Sequence, residues 1–235
     1  MQNPPPPIFL KKCEQTRLEL PEGALEMLER YVSRLLAVNR QMNLTAVRDA
    51  EGVWIRHVFD SLALLPHLHG DLNQRALDLG SGGGLPGIPL AVMRPDMGWT
   101  LVDSVAKKAR FLEETAAELG LKNVRVDTRR AEALGRDTDF REGFNVVTAR
   151  AVARLPTLLE LTVPLLRVKG RLYAMKGQQA SEELRESRRA MERLSVELRL
   201  EENTPEGGRL LVFKKLKETA KGYPRAIGIP NKEPL

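Results

Sequence analysis

Cysteine is almost missing from this chain, with Cys13 alone among 235 residues. A single thiol forms no intramolecular disulfide and builds no thiolate metal cluster. Histidine is scarce, at three residues, and His67 and His69 lack the cysteine neighbours that would complete a zinc site, so no metal is expected. Long apolar runs are absent too. The longest uncharged stretch, 79–93, carries five glycines and two prolines, which excludes a membrane span there. The start, MQNPPPPIFLKK, lacks the basic-then-apolar order of a secretory signal, so a cytoplasmic location is expected. Its prolines suggest an extended leader over residues 1–20.

What is present is positive charge, unevenly placed. Residues 214–235 hold six cations (Lys214, Lys215, Lys217, Lys221, Arg225 and Lys232) against Glu218 and Glu233, a local +4 of the chain's +6. A basic tail on a nearly balanced body suggests a polyanionic partner, with solubility as the plainer explanation. The hydrophobic fraction of 42% and charged fraction of 29% are ordinary for a globular domain.

Residues 22–38 and 51–65 carry apolar side chains at helical spacing and predict an N-terminal helical cap over 21–72. From 75 onward strands alternate with helices. Expected strands are 76–79, 99–103, 123–128, 144–149 and 171–175. Between and after them come a short helix ending near Arg94, then 106–119 (stopped by Gly120), about 154–166, and 180–193. Segments 195–201 and 209–214 close as a hairpin through TPEGG. The pattern predicts an α/β, doubly wound, mostly parallel seven-stranded sheet over 73–216, followed by a basic tail over 217–235.

The glycine-rich turn DLGSGGGLPG follows the first strand, where open α/β sheets bind ligands. It is no phosphate-gripping P-loop, because Ile88 and Pro89 follow Gly87 in place of Lys and Ser/Thr. It is no nucleophile elbow, because Leu79 sits where a glycine should precede Ser81. A dinucleotide fingerprint is matched formally at Gly82, Gly84 and Gly87. That match starts two residues late, and Pro86 and Pro89 interrupt the helix meant for a pyrophosphate. The remaining candidate is the D-x-G-x-G turn of S-adenosylmethionine enzymes: Asp78, Gly80, Gly82. Asp103, ending the next strand, is placed for the ribose hydroxyls, a role it would fill equally well for NAD.

Four further cations fall at the same carboxyl edge: Arg129, Arg130, Arg150 and Lys176. Clustered there they favour an anionic, phosphate-bearing substrate. Methylation at pyrimidine C5 would need a cysteine nucleophile, and Cys13 lies in the leader. The Asn/Asp-Pro-Pro-aromatic motif of exocyclic-amine methyltransferases is absent, with Thr148-Ala149-Arg150-Ala151 in its place. A ring nitrogen presents its own lone pair, so positioning suffices and no general base is required.

DLGSGGGLPGIPLA resembles the signature of the RsmG family (glucose-inhibited division protein B). NLTAVRD (43–49), RHVFDSLALL (56–65), DSVAKKARFLEE (103–114), TRRAEAL (128–134), YAMKG (173–177) and YPRAIGIPNKEPL (223–235) resemble it as well. The resemblance implies a class I S-adenosylmethionine-dependent fold and methylation of guanine N7 in the 530 loop of 16S rRNA, on rRNA or the small subunit; a monomer is expected. It also implies that Gly80 and Leu85 contact the cofactor, Ala131 and Glu132 face its adenine, and Arg150 lies beside its methionine end. Arg129, Arg130, Lys176, His57 and Arg225 are the expected RNA contacts. His57, Asp60 and Ser61 share one helix face, serving either the cleft or a structural network. Two other readings stay open: an NAD-dependent oxidoreductase, and a non-catalytic RNA-binding protein on the same fold.

Overall fold

The computed structural model describes residues 3–68 and 74–235. The expected cap boundary at 72/73 and His69 lie outside the described residues. Seven strands form one sheet: β1 (Arg75–Leu79), β2 (Gly98–Val102), β3 (Val124–Asp127), β4 (Phe144–Arg150), β5 (Leu166–Lys176), β6 (Val196–Asn203) and β7 (Arg209–Lys215). Their order is β3-β2-β1-β4-β5-β7-β6, with the first five parallel and β7 running antiparallel between β5 and β6. The order reverses between β1 and β4, so the crevice beyond their carboxyl ends is the place for a ligand.

Central parallel strands are covered on both faces and therefore carry apolar residues on both. Leu77, Val147, Leu172 and Phe213 point to one core, beneath α8 (Leu155–Thr162) and α10 (Arg188–Leu194). Ala76, Trp99, Val146 and Tyr173 point the other way, onto Leu90 and Ala91 of α5 (Gly87–Met93). Helix α6 (Ala106–Leu119) stops at Gly120 in a left-handed C-cap, as its sequence predicts. Among the described residues no helix is long and apolar enough to cross a membrane.

The leader corrects the sequence reading. Pro7 opens a helix, α1 (Pro7–Gln15), because proline at the first helical position removes only an amide that has no helical partner. Phe9 is buried against Trp54, ring centroids 4.6 Å apart, so α1 belongs to the cap core with α2 (Ala24–Met42). Pro89 likewise does not interrupt α5; it falls in the helix's first turn, where no donor is lost. The segment 51–65 is irregular: α3 (Ala50–Val53), a π-turn over Trp54–Phe59 and α4 (Asp60–Leu62). The expected helix 180–193 divides into α9 (Ala180–Glu186) and α10 around Ser187.

The tail folds back instead of extending. Tyr223 and Leu235 pack on the α8 core, and a short α11 (Ile229–Lys232) follows. Two of the six tail cations are committed to internal partners. Lys215 is fully buried and donates to Glu142 and to the Val163 and Leu166 carbonyls. Arg225 forks onto Glu160, itself fully buried, at 2.6 and 2.9 Å.

Candidate active site

After β1 the chain passes through Gly80, Gly82 and Gly84 at φ of +69°, +56° and +91°, a path that side-chain-bearing residues resist. Two carboxylates hold this turn. Asp78 is fully buried; its Oδ2 accepts from the Gly87 amide at 3.1 Å and its Oδ1 from the Thr148 hydroxyl at 2.7 Å. Asp103 Oδ2 accepts from the Gly82 amide and its Oδ1 from the Val105 amide, both at 2.9 Å. An internal carboxylate therefore already sits on the leading amide of α5, where a pyrophosphate would have to bind.

Burial is the chief cause that pushes the Asp78 carboxyl up to about 6, against hydrogen bonds that lower it. An acid whose native pKa exceeds its unfolded value adds stability below the unfolded pKa and loses it as pH rises through the native one. The wild type should accordingly lose up to about 3 kcal/mol relative to Asp78→Asn between about pH 4 and 7. Urea unfolding across that range checks this, and a gap constant with pH would contradict it.

Two cavities open at the carboxyl edge. The smaller, about 210 Å³, lies over β1–β3 and is lined by Gly80, Asp103, Arg130, Ala131, Glu132 and Val152. The larger, about 570 Å³, lies between the cap and the ends of β4 and β5 and includes Arg56, His57, Asp60, Arg150 and Lys176. The segment 150–153 is the wall between them: Arg150 and Ala151 face the larger cavity, Val152 and Ala153 the smaller.

Arg150 Nη2 donates to the Arg56 carbonyl at 2.8 Å, and its Nη1 lies 3.5 Å from Asp60 Oδ2. The His57 ring contacts the Thr45 hydroxyl through Nε2 (2.5 Å) and the Arg56 carbonyl through Nδ1 (2.9 Å). Burial first, then the Arg150 charge, push His57 down to about 4. The imidazole is thus neutral near pH 7, a polar wall of the cavity with no charge to offer a phosphate.

Several expected site residues stand elsewhere. Asp78, Gly82 and Leu85 do not line the smaller cavity. Asp78 is a buried brace, Gly82 is tied to Asp103, and Leu85 packs against the cap core. Glu132 lines it, yet its Oε1 accepts from the Gly228 amide at 2.9 Å and so anchors the tail. Of the expected RNA contacts, Lys176 is almost buried, 2.7 Å from both Glu183 Oε2 and the Ala153 carbonyl. Arg225 is held by Glu160, Arg129 bridges Asp127 and Asp137, and His57 is neutral. Arg130 remains exposed, with no ion pair among the described residues. Ser61 is buried and donates to the His57 carbonyl at 2.6 Å, a structural bond, whereas His57 and Asp60 do face the cleft.

Sequence reasoning missed Arg56, exposed at the mouth of the larger cavity, and the β6–β7 turn, whose Thr204, Glu206 and Gly207 line it. Arg56 carried a signal, one position before His57 at the start of RHVFDSLALL. The turn carried none, since TPEGG reads as a hairpin connection and nothing more.

Known proteins resemble this chain in sequence and in fold. The family model described as rRNA small subunit methyltransferase G matches residues 24–209. A protein of Geobacillus thermodenitrificans named ribosomal RNA small subunit methyltransferase G is 41% identical, covering 97% of this chain and 98% of its own. Its namesake from a Roseiflexus species is 43% identical, over 97% and 99%. Among solved structures, an S-adenosylmethionine-dependent methyltransferase from Aquifex aeolicus superposes with a TM-score of 0.57 at 15% identity, covering 79% of this chain and 98% of that one. Geranyl diphosphate C-methyltransferase from Streptomyces coelicolor gives 0.52 at 15%, over 66% and 78%. These last two share the fold; the sequence relatives carry more, and the chain belongs to the rRNA small subunit methyltransferase G family.

Proposed function

We propose that this chain transfers the methyl group of S-adenosylmethionine to N7 of a guanine in the 530 loop of 16S rRNA. Dependence on S-adenosylmethionine and action on small-subunit rRNA follow from the family. The target atom and the loop rest on the resemblance and on the absence of a base. The observation that carries the reading is the pair of cavities sharing one wall at the switch point.

The smaller cavity fits a nucleoside without phosphates. Asp103 stands at its rim for ribose hydroxyls, and Gly80 lines it in close approach to the shared wall, where a Cβ would lie 2.7 Å from Val152 Cγ2. The amide of Gly87, the natural anchor for a pyrophosphate, is taken by Asp78, which argues against NAD. When bound, the cofactor supplies a sulfonium-activated methyl. Guanine N7 would offer its own lone pair to that methyl, so the residues around the cleft need remove no proton. Arg150, on the wall, is the residue for the cofactor carboxylate. His57, neutral and bonded through both nitrogens, lacks the freedom to act as a base. The contribution of the protein is therefore alignment of two ligands across the 150–153 wall.

RNA backbone contacts fall to Arg56 and Arg130, which flank the cleft, in place of the internally paired Lys176 and Arg225. The double variant Arg56→Ala/Arg130→Ala should bind rRNA more weakly and lose about two from the slope of log affinity against log salt. A slope unchanged in filter-binding assays would remove both from the interface. We take the 217–235 segment, whose Tyr223 and Leu235 pack on the α8 core, as part of the sheet domain, and the enzyme as a cytoplasmic monomer. The target is tested by reduction and aniline cleavage of treated rRNA: strand scission at one guanine is expected, and its absence with both naked rRNA and subunits would defeat the N7 reading.

A further inference from the structure

One buried acceptor in the larger cavity has no partner. Asp60 is 5% exposed, yet its Oδ1 makes no hydrogen bond among the described residues. Its Oδ2 faces Arg150 Nη1 at 3.5 Å, a charge contact too poorly aligned for a hydrogen bond, since Nη1 is also unpartnered. Buried carboxylate oxygens without donors are rare in folded proteins, because the lost hydration is not replaced. The neighbouring Ser61 and His57 are already satisfied within the cap. Oδ1 is therefore open to a donor on a ligand, and Asp60 lines the cavity that would hold one.

The position of Asp60 selects which ligand. The Thr204 side chain and the Glu206 backbone, from the turn joining β6 to β7, hydrogen-bond the carboxyl from their side, while Oδ1 is left without a partner. That turn stands at the β5–β7–β6 side of the sheet, with β4 and β5 separating it from β1 and the Gly80 cavity. Asp60 thus belongs to the acceptor side of the cleft, away from the adenosine pocket. Guanine alone among the RNA bases sets an N1–H donor beside an exocyclic amine donor. Adenine and cytosine turn a lone pair to the same place, which a carboxylate repels, and uracil lacks the amine. A base held by that edge keeps N7, on its other edge, clear for the incoming methyl.

We infer that Asp60 reads the target base, its Oδ1 accepting from N1–H and the exocyclic amine of guanine seated in the larger cavity. Burial pushes the Asp60 carboxyl up, and Arg150, anchored on the Arg56 carbonyl and with its other nitrogen 3.5 Å from Oδ2, opposes that shift and holds the group in place. The inference rests on guanine N7 being the methyl acceptor, and it makes Asp60 the specificity residue for that acceptor.

The experiment compares ligated rRNA carrying guanosine or inosine at the target position, free and in reconstituted subunits, with tritium-labelled donor. Inosine keeps N7, O6 and N1–H and lacks the exocyclic amine. Wild-type protein is expected to show kcat/KM about 10- to 100-fold lower on inosine, the range for a lost hydrogen bond to a charged group. Asp60→Ala should treat the two substrates alike within about twofold, and Asp60→Asn should fall between, its neutral carbonyl being a weaker acceptor. Asp60→Asn keeps the proposal testable should the alanine variant fail to fold, and melting curves identify that case. Two results would overturn it. One is undiminished discrimination in both variants. The other is loss of S-adenosylhomocysteine affinity in Asp60→Asn without RNA, which would place Asp60 on the cofactor's ammonium group. Failure of wild-type protein to methylate the guanosine substrate would instead strike the N7 reading itself.

Discussion

Replacing Lys176 by alanine is expected to lower the unfolding free energy by about 3–5 kcal/mol, the penalty for stranding one member of a buried ion pair. Lys176 Nζ and Glu183 Oε2 are 2.7 Å apart with side chains 8% and 9% exposed. The same Glu183 oxygen accepts from the Leu155 amide at 2.7 Å, so it also anchors the start of α8. Without the ammonium, that carboxylate stays in a place water hardly reaches. Chemical denaturation measures the loss, and removing the charge on both sides, in Lys176→Met/Glu183→Gln, should recover most of it. A surface lysine contacting phosphate predicts the reverse pattern: unchanged stability, weaker rRNA binding and a shallower salt slope. That pattern in Lys176→Ala would restore the lysine to the RNA interface.

The same lysine marks the limit of what the sequence discloses. Its place at the carboxyl end of β5 is legible, because strand periodicity locates the end of β5 to within a residue. Its partner is not, since nothing in the spacing says that α9 turns Glu183 back onto the strand end. The pairing of Arg225 with Glu160 joins residues 65 apart, and the docking of the tail depends on it. Cations therefore look free in a sequence and prove engaged in the fold. Asp78 misleads for a related reason. In a strand covered on both faces, the residue between Leu77 and Leu79 is as buried as they are, so its carboxyl braces the turn and cannot face the ligand. The leader's prolines read as extended chain, although Pro7 stands at the first helical position, which tolerates it. The mostly parallel seven-stranded sheet, its closing antiparallel hairpin and the glycine turn after the first strand are legible, because each rests on local pattern: alternation, turn residues and clustered glycines.

Gly80→Val is expected to weaken S-adenosylhomocysteine binding at least about 100-fold, roughly 2.7 kcal/mol. Gly80 lines the smaller cavity, and a Cβ built there would lie 2.7 Å from Val152 Cγ2, closer than real contacts allow. Val152 belongs to the wall shared by the two cavities and, being β-branched, has little rotamer freedom with which to yield. The branched side chain must therefore occupy the cleft or displace the wall, and either change spoils the donor site. Positive φ adds about 1–2 kcal/mol of backbone strain, so stability alone cannot separate the two effects. Gly82→Ala separates them. Gly82 shares the left-handed backbone, at φ +56°, but a Cβ there meets nothing nearer than the Gly80 carbonyl at 3.8 Å. Titration calorimetry on both variants should find the alanine variant within about tenfold of wild type, less than 1.4 kcal/mol, and the valine variant far weaker. Equal losses in the two would mean that backbone strain sets the affinity; no loss in Gly80→Val would place the nucleoside somewhere other than beneath this turn.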